Sequence, residues 1–208
     1  MTSSSFLGDP GAPVVTDASV IINLVATKRA AAIIGAFPNR LLVTSNVRDE
    51  LSTTGRSRGH GSREGLEALV RSGAIEPVDL EPSDEPVYRA LVEGEAQETL
   101  DDGEAATIAY AVGRGAVALI DERKAGRICD ARFPTLRLAS TADLLLHGLV
   151  TNQLGEAGQS DAIFRALRDA IMQVVPRDRL REVVRRIGEV RAAECTSLPR
   201  WARTLPEG

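Results

Sequence analysis

Asp17, Glu50, Glu104 and Asp121 are the residues whose types and placing make them candidates for chemistry. Asp17 closes the apolar run Pro13-Val14-Val15-Thr16 and opens the apolar stretch Ala18-Ser19-Val20-Ile21-Ile22-Asn23-Leu24; Asp121 closes Ala116 to Ile120 and opens a basic stretch with Arg123, Lys124 and Arg127. In open α/β sheets ligands gather outside the carboxyl ends of the strands, so an acid directly after a buried strand is a candidate site residue. Glu50 falls about one turn into the helix expected after a second strand, and Glu104 sits in the acidic helix start Asp101-Asp102-Gly103-Glu104. If the strand ends meet, these carboxylates repel one another and take up protons unless a cation binds. An oxygen-only set of this kind suits Mg²⁺ or Mn²⁺.

Each acid also has a purely structural use. Asp17 and Asp121 both precede helices and can serve as N-caps. Asp101 with Glu104 has capping-box spacing, and Glu50 can be an ordinary exposed helical residue. Other chemistries find less support. No His/Cys ligand set indicates zinc. His60 lies in an Arg-rich stretch and His147 in an apolar one, neither in a triad context, and there is no phosphate-binding glycine motif. The two cysteines, Cys129 and Cys195, read as small buried hydrophobes in a reducing compartment.

The elements that must position the acids follow from the pattern of apolar runs. A strand ending at Asp17 leads into a helix over Ala18 to Thr27, with Val20, Ile21, Leu24 and Val25 on its buried face. A short helix over Arg29 to Phe37 and a strand over Leu41 to Thr44 precede the helix of Glu50, capped by Ser45 or Asn46. Ser52 to Arg63, bearing Arg56, Arg58 and Arg63, is rich in Gly, Ser and Arg without apolar periodicity and reads as a mobile loop. A helix over Glu64 to Arg71, a strand near Ile75 to Val78 and a partly helical stretch around Val87 to Glu93 lead to the Ala-rich helix of Glu104. Gly113 and Gly115 turn that helix into the strand before Asp121, and Thr135 to Ala139 is a further strand, followed by a helix capped by Ser140 or Thr141. The alternation predicts an α/β fold with a mostly parallel sheet covered on both faces.

We expect a loose tail over 1–12 that is not a signal peptide, a main domain over 13–150, and a C-terminal helical extension over 151–208, the boundary falling in Thr151 to Gln159. In the extension Ile163, Leu167, Ile171 and Val174 form one apolar stripe, and Leu180, Val183, Val184, Ile187 and Val190 another, with Pro176 between. At 208 residues, with 43% hydrophobic and 26% charged residues, the chain can bury a sizeable core. Aromatics at 3% leave little for base-stacking platforms of the RRM or OB type, and a net charge of -4 does not indicate bulk nucleic-acid coating. No apolar run approaches the roughly 20 residues of a membrane span, and the expected location is the cytoplasm.

Taken in order, Asp17-Ala18-Ser19 with Ile21-Ile22-Asn23-Leu24, Glu50 before Leu51, the LDDGEA block from Leu100 to Ala105 and the IDERKA block from Ile120 to Ala125 resemble a PIN domain. The likeness is to the branch with GEA and IDERKA-like motifs found among VapC-like toxins, and it spans about Val14 to Leu149. It implies an α/β/α metal-dependent ribonuclease with the family's acidic positions on Asp17, Glu50, Glu104 and Asp121. Many PIN nucleases carry Asp where this chain has Glu104, and some have a further Asp shortly after the fourth acid, where Glu122 stands here. The expected reaction is hydrolysis of an RNA phosphodiester with Mg²⁺ or Mn²⁺ held by the four acids and Glu50 ligating the ion or orienting water. Ser19 is expected to bond a ligand carboxylate or a phosphate, or to cap its own helix. Arg123, Lys124 and Arg127 are expected to contact phosphates, or to form a solvated face. An antitoxin-like protein and a second copy of the chain are the expected partners. Two alternatives remain: a non-cleaving PIN-fold interaction or RNA-binding protein, and a small-molecule phosphohydrolase, whose Asp-x-Asp pair is interrupted here by Ser19.

Overall fold

The computed structural model describes residues 7–53, 61–172 and 175–203. Its centre is a five-stranded sheet, every pairing of which is parallel, as the α/β alternation requires. The strands are β1 (Val14–Thr16), β2 (Leu41–Thr44), β3 (Glu76–Val78), β4 (Val117–Leu119) and β5 (Arg137–Ala139), in the spatial order β3-β2-β1-β4-β5. The chain leaves β1 towards β2 on one side and returns to β4 on the other. The carboxyl ends of β1 and β4 therefore flank the point where the winding reverses, the usual crevice of such sheets.

Side chains alternate across the sheet. Val14, Leu41, Val43, Val117 and Leu119 join one buried cluster, while Val15, Leu42 and Ala118 join the other. The first face is covered by α1 (Ala18–Ala26), α2 (Ala30–Ile34), α3 (Ser45–Thr53) and α4 (Ser62–Arg71), and by α8 (Thr141–Leu145), α9 (Gly148–Arg168), α10 (Leu180–Ile187) and α11 (Glu189–Glu194). The second face is covered by α5 (Glu85–Val92), α6 (Asp102–Arg114) and α7 (Arg123–Arg132). The chain ends, within the described residues, in a 3-10 turn over Arg200–Arg203. Ile21 and Leu24 of α1 are fully buried; truncating either to Ala is expected to cost about 2–5 kcal/mol. Small residues let α6 lie close to the sheet, and Ala105, Ala106, Ala109 and Ala111 are all without solvent contact. Gly115 ends α6 in the left-handed region at φ +59, which a glycine adopts at little cost, and β4 starts two residues later. Pro77 lacks an N–H and is tolerated in β3 because that strand is an edge of the sheet.

Several expectations change. Residues 54–60 of the Arg-rich stretch, including Arg56, Arg58 and His60, lie outside the described residues. Arg63 is not in a loop: it belongs to α4 and pairs with Glu67 at 3.0 Å. His147 caps α9, its Nδ1 accepting from the Leu149 N–H at 3.2 Å, and its ring lies against Phe37. Thr151 to Gln159, read as a boundary, contains a break: Gly155, at φ +70 and ψ 167, parts α9 into two helical stretches. The buried Gln159 ties the second stretch to the residues before α9, its Nε2 donating to the Leu145 carbonyl at 2.7 Å. The apolar stripes of the last helices are shorter than expected. Ile163, Leu167, Leu180, Val183, Val184 and Ile187 are buried, whereas Ile171 is 42% and Val190 82% exposed, and Val174 lies outside the described residues. Gly188, at φ +81, ends the second stripe by turning the chain before Val190. The buried residues of α9, α10 and α11 belong to the same cluster as those of α1 and β1. Among the described residues no helix is long and apolar enough to cross a membrane.

Candidate active site

Asp17 and Asp121 meet because β1 and β4 are hydrogen-bonded neighbours. Thr16 is paired with Leu119, and the Asp17 N–H donates to the Leu119 carbonyl at 3.1 Å. Both carboxylates are buried, Asp17 at 2% and Asp121 at 6% exposure. Asp17 caps α1, accepting from the Val20 N–H at 2.9 Å, and the Ser19 hydroxyl donates to its Oδ1 at 3.0 Å and Oδ2 at 2.9 Å. Ser19 is thus turned to the Asp17 carboxylate.

Asp121 does not cap the helix that follows it. That task falls to Glu122, which accepts from the Lys124 N–H at 3.0 Å. Asp121 instead reaches across to the start of α8, where its Oδ1 accepts from the Thr141 N–H at 2.9 Å. Its Oδ2 accepts from the Thr141 hydroxyl and from Asn23 Nδ2, the latter at 2.7 Å. Asn23 and Thr141 were not singled out as site residues from sequence. The signal for Asn23 was an amide on the inner face of an otherwise apolar helix, a position that demands a partner.

Glu104 stands in the first turn of α6, half-buried. Its carboxylate bonds back to the Asp101 N–H, the half of the capping box that forms; Asp101 itself makes no side-chain cap. Glu50, on α3, is packed against the start of α6. A Cβ added at Gly103 would lie 2.3 Å from Glu50 Oε2, so the glycine of the acidic block is what lets that carboxylate approach. Asp102 is turned to neighbouring side chains, accepting from Asn46 Nδ2 at 2.9 Å and from the Tyr88 hydroxyl, whose pKa is pushed up to about 12 by that bond.

The four acids form an electrostatic chain. Burial, then the charge of Asp121, raises the Asp17 carboxyl well above its ordinary value against the pull of Val20 and Ser19, and Glu104 adds to the rise. Burial pushes Asp121 up to about 6 against its Thr141 and Asn23 donors, with Asp143 adding to the rise. Glu104 is pushed up to about 7 by burial and by Asp101, Glu122 and Glu50. Glu50 is raised by burial and by Asp101 and Asp102. Glu104 thus adds to the rise at Asp17 and is itself raised by Glu50. Among the described residues no three His, Cys, Asp or Glu side chains are grouped closely enough to hold an ion between them.

The basic residues after Asp121 divide. Arg123 and Arg127 are exposed, whereas Lys124 donates from Nζ to the Ala96 carbonyl at 2.6 Å. Behind the rim, Asp143 closes a capping box with Ser140 at the start of α8 and pairs with Arg179, just before α10, at 3.6 Å. Cys129 and Cys195 are buried thiols with pKa values pushed up by burial to about 12 and about 11, which leaves them inert.

An all-parallel sheet with acids at its reversal point defines a class of α/β proteins that bind ligands at this rim. Within that class the assignment is specific: a family model described as a PIN domain, DUF3368, matches residues 13–189, and the chain belongs to that family. The match extends through α10, further than the resemblance seen in the motifs. PIN domains are generally nucleases, and PIN nucleases generally use divalent metals. No curated protein and no solved structure matches the chain.

Proposed function

We propose that the chain is a metal-dependent endoribonuclease that hydrolyses RNA phosphodiesters at the rim formed by Asp17, Glu50, Glu104 and Asp121, in the cytoplasm, as the toxin of a toxin–antitoxin pair. The single observation that carries this is the contact of β1 with β4, which sets two buried, electrostatically coupled carboxylates side by side at the reversal point of the sheet.

The donor set fits Mg²⁺ or Mn²⁺. A carboxylate offers about four lone-pair sites. Asp17 is met by two donors, the Ser19 hydroxyl shared between its oxygens and the Val20 N–H on Oδ1, and Asp121 by three, from Thr141 and Asn23. Oδ2 of Asp17 and Oδ1 of Asp121 each keep a lone pair for a point of ligation. With no three acids grouped, the ion would be held by Asp17, Asp121 and Glu104 partly through water, as suits Mg²⁺. When bound, the ion neutralises charge on the scissile phosphate and lowers the pKa of water.

The chain's own residues do the rest. Ser19, Asn23 and Thr141 hold the two aspartates in fixed rotamers, which limits how far the ligands can wander. Glu104, with a pKa of about 7, can exchange a proton near neutrality at the rim. Glu50, held beside Gly103, orients water or a water ligand. Arg123 and Arg127 contact phosphates of the flanking strand.

The test is cleavage of total RNA with Mg²⁺ and with EDTA by the wild type, Asp17→Asn and Asp121→Asn, beside a chromogenic phosphomonoester. Metal-dependent RNA cutting abolished by either substitution supports the reading; hydrolysis of the monoester alone would move the protein to the phosphohydrolases. That three donors already engage Asp121, leaving it a single lone pair, favours a second reading, a PIN fold that binds RNA or a protein partner without cutting. Calorimetry with Mg²⁺ separates the two, because that reading expects no heat. Growth arrest on expression, relieved by a co-expressed antitoxin-like protein, tests the toxin assignment.

A further inference from the structure

We propose that the groove between the start of α7 and the C-terminal 3-10 turn is a subsite for one unpaired base and its adjoining phosphates in single-stranded RNA. Trp201 provides the stacking surface, and Arg123 and Arg177 provide the phosphate contacts. The proposal rests on the ribonuclease reading above and adds a subsite, away from the acids, for its substrate.

Trp201 is the only tryptophan of the chain. In a protein with 3% aromatic residues an indole is expected in the core, yet this one is 51% exposed. It borders a groove of about 390 Å³ together with Arg123, Arg177, Val175, Leu180 and Pro199, a size within the usual range of small-ligand sites. Arg123, in the groove's lining, stands two residues beyond Asp121 at the start of α7. Among the described residues neither Arg123 nor Arg177 forms an ion pair, whereas Arg179 nearby is engaged by Asp143 and Glu182.

Among the described residues that line it, the groove has cations and apolar surface and no acid. The neighbouring groove along α7 differs: there Lys124, Arg127 and Arg132 face Glu93 and Glu98, and the charges offset one another. A base needs an apolar face and its phosphates need unpaired cations, and the first groove offers both. One stack in place of a platform also accounts for the scarcity of aromatics.

The test uses the full chain in EDTA, so that binding is read without cleavage. An oligoribonucleotide of about eight nucleotides, single-stranded or annealed to its complement, is titrated while tryptophan emission and the anisotropy of an end label are followed. Because Trp201 is the sole tryptophan, emission reports this groove alone. The expected result is saturable quenching by the single strand and little by the duplex. Trp201→Ala should weaken binding about five- to 150-fold and Trp201→Phe much less. Arg123→Ala and Arg177→Ala should each reduce the salt dependence of log K by about one. Binding without quenching, equal affinity of Trp201→Ala, equal quenching by duplex, or no binding of the oligonucleotide overturns the proposal. The Mg²⁺ cleavage assay tells the two failures apart: RNA cut with Trp201→Ala as efficient as the wild type removes the subsite and leaves the nuclease, and quenching without cutting removes the nuclease and leaves an RNA-binding groove.

Discussion

Replacing Asp121 by Asn is expected to stabilise the protein at alkaline pH and to destabilise it at acid pH. The Asp121 carboxyl is raised from 3.8 to about 6, chiefly by burial. The folded state therefore binds its proton more tightly than the unfolded chain does. Below about pH 4 both states are protonated and the group costs nothing; as pH rises towards about 6 the wild type loses stability, and above that it carries the whole penalty. At roughly 1.4 kcal/mol per pH unit the penalty is about 3 kcal/mol. Asparagine is neutral throughout. It keeps one acceptor for the Thr141 N–H, but its amide group meets Asn23 Nδ2, which must turn over, a loss of about 1 kcal/mol. The variant should thus be less stable by about 1 kcal/mol near pH 4 and more stable by about 2 kcal/mol near pH 8. Removing this charge also relieves Asp17, which acts in the same direction. Urea unfolding followed by circular dichroism, in EDTA at the two pH values, measures the difference. A stability difference that does not change sign between them refutes the argument. The expected loss of RNA cleavage alongside a gain in stability would mark Asp121 as retained for function.

Gly103→Ala places a Cβ 2.3 Å from Glu50 Oε2 and 3.2 Å from Val47 Cγ2. The Glu50 side chain can swing away, so the unfolding free energy should change by less than about 1 kcal/mol while RNA cleavage falls about ten- to a hundred-fold; unfolding and cleavage assays on the same preparation check both. Gly65→Ala meets the Val25 methyls at 2.6 and 2.7 Å, where α4 crosses α1, and both helices are held by their packing. It should cost about 1–3 kcal/mol by thermal or urea unfolding without a specific loss of metal binding. Mg²⁺ at about a hundred times its Kd should stabilise the wild type by about 2.7 kcal/mol and leave Asp17→Asn unmoved in a thermal melt. Calorimetry should show Mg²⁺ affinity rising as pH passes about 7, where Glu104 gives up its proton, and Glu104→Gln should flatten that rise.

The acids at the strand ends were legible because a strand-end position is a local property: an apolar run, an acid, then a helix. So were β2, placed at Leu41–Thr44, and the turn at Gly115. Partnership across the sheet was not legible. Asp121 and Glu122 are adjacent in sequence, and only the fold decides that Glu122 caps α7 while Asp121 turns to Thr141 and Asn23. Glu50 was legible as an acid in a helix, but its approach to Glu104 depends on the missing side chain of Gly103. Apolar periodicity overran the last helices, because it cannot see that Gly188 redirects the chain before Val190. The break in α9 falls at Gly155, inside the stretch read as a boundary, whereas the buried Gln159 read as polar and its bond to Leu145 was not legible. Trp201 attracted no notice in sequence, where one aromatic near the end has no pattern to belong to.

Arg179 holds Asp143, whose capping box fixes the start of α8, and the first residue of α8 in turn grips Asp121. The late helices therefore brace the carboxyl end of β4 from behind, like a strut set under a shelf. Any protein that grasped those helices and drew Arg179 away would slacken the shelf without touching the acids. If the proposed cleavage holds, an inhibitor need not plug the crevice, and one that acts from the rear would leave the groove at Trp201 open while disarming the acids.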